Sequence, residues 1–205
     1  MDNILKGKKV AVLVETEYIP EEVNYYQTFF SKRGAQVDFL TQLWGQPERV
    51  LVSDVDSADK PLETMLVKNE VADANPNDYA IVLCAANYVA CRLREIPPMG
   101  SLGDPGLLRS PAAVRFMAGA MMNPQIVKGA LCHALWILTP VPELLKGRKV
   151  ICHTVVLADV INAGGIYVPD PSHVVVDRDL VTGRSAADIE LYSQTLLATY
   201  KKLRG

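Results

Sequence analysis

Short, unbroken apolar runs most constrain what this chain can fold into. Val10–Val14 contains no polar residue, which is typical of a parallel strand covered by helices on both faces. Pro20 then stands where a helix can begin, and Gly34 marks a stop for that helix. Gln36–Leu40 follows as a second strand. The chain therefore predicts an N-terminal β-α-β unit, in which a helix joins two parallel strands.

Further predicted strands extend this unit into a larger sheet. They are the apolar runs Asp78–Cys84, Ile126–Leu131 and Lys149–Cys152, and a hairpin of His173–Val176 with Leu180–Thr182. Between residues 49 and 73 we expect a short hairpin followed by a helical segment. Strands that alternate with helices predict an α/β fold with a mainly parallel sheet between helices, and one domain over residues 1–205.

Two serines predict the starts of helices. Ser110 precedes Pro111 and is a candidate cap for a helix that runs to about Met122. Ser185 lies three residues before Asp188, which resembles a capping box and predicts a closing helix that ends near Leu203.

The composition excludes several classes of protein. The 205 residues are 49% hydrophobic, enough for one sizeable core, and the net charge of −2 gives no reason to expect nucleic acid. No apolar run approaches the ~18–20 residues of a membrane span, and no signal peptide is visible. Neither zinc-ligand spacing nor a G-x-G-x-x-G motif occurs, so we expect no metal and no cofactor. Four cysteines in apolar segments predict a reduced, cytoplasmic protein.

The stretch from Lys128 to Trp136 contains the candidate nucleophile. Cys132 lies between a predicted strand and the apolar residues Ala134–Leu138, which are good helix formers, and this resembles the turn of a G-x-S-x-G nucleophile elbow. The dipole of a helix that begins there would favour the thiolate over the thiol. On spacing alone, a buried structural cysteine beside a surface histidine, His133, explains the pattern equally well.

Four motifs give this chain a family resemblance. They are Ala130–His133, Glu143–Lys149, Asp159–Gly165 and Val174–Arg184. With these motifs the chain resembles the ThiJ/PfpI family, or DJ-1 superfamily, although residues 88–111 match poorly. The resemblance implies a flavodoxin-like fold of the class I glutamine-amidotransferase type, with Cys132 at the nucleophile elbow. It also implies a homodimer or a higher homo-oligomer.

The resemblance further implies a carboxylate beside the cysteine. In the family, a glutamate at the start of the first helix faces the cysteine, and the matching position here is Glu22. The residues alone leave Glu21, Glu17 and Glu15 open, because the helix dipole favours any first-turn acid and ligands bind at the carboxyl ends of parallel strands. A protonated Glu22 would donate a hydrogen bond to the thiolate and carry protons during addition to a carbonyl.

Five other site residues follow from the same resemblance. His133 is usually the family's third element, and His153 matches a position where relatives place a histidine or tyrosine in the site. Relatives also have a Gly-Gly pair whose N–H groups help to form an oxyanion hole. Ala85 and Ala86 occupy that segment here, and the side chain of Asn87 is an alternative donor.

These residues predict a cofactor-independent hydrolase or lyase that acts on a carbonyl group. The family includes peptidases or amidases, glyoxalases and deglycases, and we favour small carbonyl compounds over peptides because no extended groove is indicated. The turn-rich loop 97–106 could cover the site. The alternative is a non-catalytic protein of oxidative stress, in which Cys132 is oxidised to sulfinic acid. We expect no nucleic-acid or membrane partner.

Overall fold

A computed structural model describes residues 3–54, 61–100 and 102–205. The strands are β1 Lys9–Leu13, β2 Gln36–Thr41, β3 Arg49–Val52, β4 Thr64–Val67, β5 Asn69–Glu70, β6 Ile81–Cys84, β7 Val127–Leu131, β8 Lys149–Val150, β9 Ile166–Tyr167, β10 Val174–Asp177 and β11 Leu180–Gly183. The α-helices are α1 Pro20–Ser31, α2 Val89–Leu93, α3 Ala112–Met122, α4 Leu157–Asn162 and α5 Ile189–Arg204.

The main sheet has seven strands in the order β10-β11-β7-β6-β1-β2-β5. Only the pairing of β10 with β11 is antiparallel, which confirms the predicted mainly parallel α/β sheet. In the parallel register, Leu13 lies beside Cys84, and Cys84 lies beside Ala130. The carboxyl ends of β1, β6 and β7 therefore meet at one edge, where parallel sheets usually bind their ligands.

Helices flank the sheet and bury its central strands. Every residue of β6 and β7 is buried, as expected for strands covered on both faces. Helices α1 and α5 pack together through Tyr26 and Tyr192, whose ring centroids lie 6.4 Å apart. This packing fixes the start of α1 relative to the carboxyl edge of the sheet. Among the described residues, no helix has both the length and the apolar character needed to cross a membrane.

Three predicted elements differ from the structure. The strand predicted over Lys149–Cys152 is only the short β8, which pairs with β9 outside the main sheet. The helical segment expected before residue 73 is the single 3₁₀ turn Val71–Asp73, and the tip of the preceding hairpin lies outside the described residues. Ser110 makes no cap hydrogen bond to α3, because Pro111 occupies the cap position.

The predicted capping box at the end of the chain is confirmed. The Ser185 backbone N–H donates to the Asp188 carboxylate over 3.0 Å. A short 3₁₀ turn, Ala186–Asp188, then leads into α5. The hairpin of β10 and β11 is also present, with Arg178 in its turn at a φ of +58°.

Candidate active site

Cys132 directly follows β7 in a sharp, left-handed turn. Its φ is +59°, a conformation that is uncommon for any residue except glycine. The Cys132 N–H donates to the Gly183 carbonyl over 2.9 Å, and the Cys132 carbonyl accepts from the His153 N–H over 3.2 Å. Neighbouring segments on both sides therefore hold the turn. It has the geometry of a nucleophile elbow and lies at the carboxyl edge of the sheet.

The segment after Cys132 differs from the predicted helix. Ala134–Leu138 forms a five-residue 3₁₀ helix in place of an α-helix. So short a helix has little accumulated dipole at its start, since the macrodipole depends on aligned peptide units. The expected helix-dipole stabilisation of a thiolate is therefore corrected.

A second tight turn, at the end of β6, holds both the thiol and a carboxylate. The backbone N–H groups of Asn87 and His133 both hydrogen-bond to the Cys132 thiol. One residue earlier, the Ala86 N–H donates to the two carboxylate oxygens of Glu22 over 3.1 and 2.9 Å. Asn87 has a φ of +61°, which asparagine tolerates better than most residues. Consecutive N–H groups thus hold the nucleophile candidate and the acid candidate.

Glu22 is the glutamate whose charge acts on Cys132. It is 1% exposed, although it lies in the first turn of α1, and the Tyr26 hydroxyl donates to it over 2.7 Å. The three alternatives lie elsewhere: Glu15 pairs with Arg49, Glu17 pairs with Arg92, and Glu21 is exposed. Burial raises the pKa of Glu22 to about 7, against the lowering effect of the hydrogen bonds from Tyr26 and Ala86.

The Cys132 thiol is the weaker acid of the pair. Burial and the nearby charge of Glu22 raise its pKa to about 11, while the N–H groups of His133 and Asn87 and the charge of Arg184 act in the opposite direction. The sequence predicted a lowered pKa, and this expectation is corrected because burial outweighs the local donors. At neutral pH the site holds a thiol beside a carboxyl group near its midpoint, which is suited to accept the thiol proton.

All three predicted oxyanion donors are already occupied. The Ala85 N–H donates to the Leu13 carbonyl over 3.0 Å as part of the sheet, and the Ala86 N–H is bound to Glu22. The Asn87 side-chain amide donates to the Glu17 carbonyl over 3.0 Å and to the Asp54 carboxylate over 2.7 Å. This side-chain amide anchors the turn. The group of Asn87 that faces the Cys132 sulfur is its backbone N–H. Sequence reasoning missed that donor, although the asparagine at this position signalled a left-handed turn.

The structure brings both predicted histidines beside Cys132. The His133 ring lies 4.9 Å from that of His153, between centroids, and His153 Nδ1 accepts the Val155 N–H over 3.2 Å. Tyr88 and Trp136, which sequence reasoning did not single out, lie 5.7 and 5.4 Å from His133. Trp136 follows His133 at a spacing of three residues. This spacing was the only sequence signal for the cluster of the Tyr88, His133 and Trp136 rings. Among the described residues of the loop 97–106, Leu102 and Met99 are exposed.

Comparison with known proteins gives a family match for the C-terminal half of the chain. Residues 99–199, which include Cys132 and the four sequence motifs, match the model of the DJ-1/PfpI family. YraA of Bacillus subtilis, whose name describes it as a proposed cysteine protease, is 24% identical over 197 residues, which are 95% of this chain and 99% of YraA.

Solved structures of DJ-1/PfpI proteins share the fold. A ThiJ/PfpI domain protein from Brachyspira murdochii superposes with a TM-score of 0.74 at 10% identity, over 96% of this chain and 98% of that one. A two-domain protein from Anabaena variabilis, with DJ-1/ThiJ/PfpI-like and ferritin-like domains, has a TM-score of 0.75 at 21% identity and covers 93% of this chain. The chain spans about half of that protein, 47% of its length.

Proposed function

We propose that this protein is a cofactor-independent, cysteine-dependent hydrolase or lyase that acts on a carbonyl group. Cys132 is the nucleophile and Glu22 carries the proton. One observation supports this proposal above the others: consecutive backbone N–H groups, of Ala86 and Asn87, hold the Glu22 carboxylate and the Cys132 thiol.

The pKa values of Glu22 and Cys132 indicate which group gives up the proton and which accepts it. Ionised Glu22 accepts the proton of Cys132 as the sulfur bonds to the carbonyl carbon, and the electron pair of the C=O bond moves to oxygen. The backbone N–H groups of Asn87 and His133, which hydrogen-bond to the thiol, are the donors that we assign to that oxygen. Glu22 then returns the proton to the leaving group or to the oxyanion.

Small carbonyl compounds, as in glyoxalase or deglycase chemistry, are the favoured substrates. Cys132 is only 9% exposed and Glu22 only 1%, so the reacting pair is recessed and suits a small molecule better than a folded chain. Peptidase or amidase activity is the second form of the same proposal, and the name of YraA supports it.

A redox-sensing role is less well supported than catalysis. Peroxides react with the thiolate, and the Cys132 pKa is raised to about 11. A sensor cysteine needs the opposite shift. In catalysis the thiolate is needed only while Glu22 takes its proton, so the raised pKa is compatible with turnover.

A substrate screen tests the proposed function. Purified protein is assayed with small dicarbonyls, glycated amines and peptide amides, alongside Cys132→Ala and the exposed-thiol control Cys91→Ser. We expect turnover of at least one carbonyl class, its loss in Cys132→Ala and its retention in Cys91→Ser. Activity retained in Cys132→Ala contradicts the proposal. So does the absence of all turnover while mild peroxide converts Cys132 to sulfinic acid.

We also propose a cytoplasmic homodimer or larger homo-oligomer. The cysteines Cys84, Cys91, Cys132 and Cys152 are all free thiols, which suits a reducing compartment. Light scattering coupled to gel filtration tests the assembly: a mass of twice 22.5 kDa or more is expected, and a monomer at all concentrations contradicts it.

A further inference from the structure

Arg184 lies next to the nucleophile elbow in space. It directly follows Gly183, the last residue of β11, whose carbonyl accepts the Cys132 N–H over 2.9 Å. The N–H of Arg184 itself donates to the His173 carbonyl over 2.9 Å. Its backbone is therefore fixed from both sides at the carboxyl edge of the sheet, where substrate must approach the sulfur.

The guanidinium of Arg184 is uncommitted. The side chain is partly buried, and across residues 3–54, 61–100 and 102–205 it forms no ion pair and no side-chain hydrogen bond. Two other arginines that are buried or partly buried are paired with carboxylates: Arg49 binds Glu15 over 2.6 Å, and Arg148 binds Asp177 and Asp179 over 2.8 and 2.7 Å. Buried arginine is normally paired with an anion, and its five N–H donors suit a carboxylate.

The positive charge of Arg184 acts on the sulfur of Cys132. It is one of the causes that lower the pKa of the Cys132 thiol. A carbonyl carbon bonded to that sulfur would lie in the same field. A substrate with an anionic group a few bonds from its carbonyl would then pair with the Arg184 guanidinium. A neutral substrate would leave the guanidinium unpaired.

Resting on the proposed function, we propose that Arg184 recognises a carboxylate of the substrate, so that the preferred substrates are small oxo acids. The planar guanidinium can bind both carboxylate oxygens and thereby orient the carbonyl carbon towards Cys132. On this proposal, Arg184 determines the substrate specificity of the site.

Two alkylating reagents test this recognition without a known substrate. Iodoacetate carries a carboxylate and iodoacetamide is its neutral analogue. With either reagent a sulfur–carbon bond forms, iodide leaves, and the thiol proton passes to Glu22 or to solvent. Mass spectrometry of the Cys132 peptide gives each rate separately from the other three cysteines. The ratio of the two rates cancels the fraction of thiolate, so a change in this ratio between variants reports a change in the preference for the carboxylate.

The variants separate recognition from general electrostatics. Arg184→Gln is expected to lower the ratio of iodoacetate to iodoacetamide rates about tenfold, equivalent to ~1.4 kcal/mol. Arg184→Lys keeps the charge without the planar pair of donors and should lower it about threefold. The control Arg178→Gln removes the same charge at the opposite end of β11 and should leave the ratio unchanged.

The outcomes distinguish this inference from the proposed function. An unchanged ratio in both Arg184 variants, with Cys132 still alkylated, overturns the carboxylate preference alone. An equal fall in Arg178→Gln also overturns it, since the effect would then be one of net charge. If neither reagent labels Cys132 in the native wild-type protein, the nucleophile itself is disproved and the inference fails with it.

Discussion

Cys132 occupies a backbone conformation that costs the protein stability. At a φ of +59° the Cβ of any L-residue crowds the following carbonyl, at a cost of roughly 1–2 kcal/mol. The hydrogen bonds to Gly183 and from His153 hold the residue there. The turn aims the thiol at the Asn87 N–H, so strain at this single residue serves the geometry of the site.

This strain predicts an unusual order of stability among Cys132 variants. Cys132→Gly should exceed Cys132→Ala in unfolding free energy by about 1 kcal/mol, because glycine adopts the left-handed region freely. Cys152, a buried cysteine without positive φ, is the control: there the glycine variant should be the less stable of the two. Urea denaturation measures both pairs. Equal or reversed stability at position 132 would contradict the strained elbow.

At the scale of elements, two serines with similar sequence surroundings have different roles. Ser185 completes the capping box that starts the last helix, with its hydroxyl 2.8 Å from the Asp188 carboxylate. Ser110 makes no cap, and its hydroxyl is buried without a hydrogen-bond partner among the described residues. The difference lies in where each helical segment begins: Pro111 occupies the cap position of α3, whereas Ser185 itself occupies the cap position of the turn that leads into α5.

Alanine substitution distinguishes the two serines. Ser185→Ala should lower the unfolding free energy by about 1 kcal/mol, the typical loss for a helix cap. Ser110→Ala should leave it unchanged or raise it, because it removes a buried hydroxyl that has no partner. Thermal melting of the two variants checks this. A larger loss at Ser110 would show that this hydroxyl is bonded after all.

Local sequence patterns were enough to predict the strands and the elbow. The arrangement of the site depends on contacts between residues that are distant in sequence. The apolar run at Val10–Val14 and the small residues around Cys132 sufficed for the parallel sheet and the elbow. The choice of Glu22 depends on a hydrogen bond from Ala86, 64 positions away. The direction of the Cys132 pKa depends on how deeply the thiol is buried, which no motif encodes.

At the scale of the whole molecule, burying Glu22 opposes folding. Burial raises its pKa from 4.5 to about 7, so the folded protein holds this proton more tightly than the unfolded chain does. Between these two values the native state binds more protons than the unfolded state. Stability from this group is therefore present at acidic pH and is lost as the pH rises from 4.5 through about 7.

Glu22→Gln should remove this pH dependence. The difference in unfolding free energy between the variant and the wild type should shift in favour of the variant by about 3 kcal/mol from pH 4 to pH 8. The exposed neighbour Glu21→Gln is the matched control and should show almost no shift. Urea titrations across this pH range measure the differences. A pH-independent difference for Glu22→Gln would mean that the carboxyl titrates normally.

The measurement that tests the coupling of Cys132 to Glu22 most directly is the pH dependence of Cys132 alkylation by iodoacetamide. Mass spectrometry follows the Cys132 peptide in the wild type, in Glu22→Gln and in the Glu21→Gln control. We predict that the wild-type rate rises with an inflection near pH 7, where Glu22 becomes a base, and that only Glu22→Gln loses this inflection. A single rise at about pH 8.5, typical of a free thiol and unchanged by Glu22→Gln, would contradict the account.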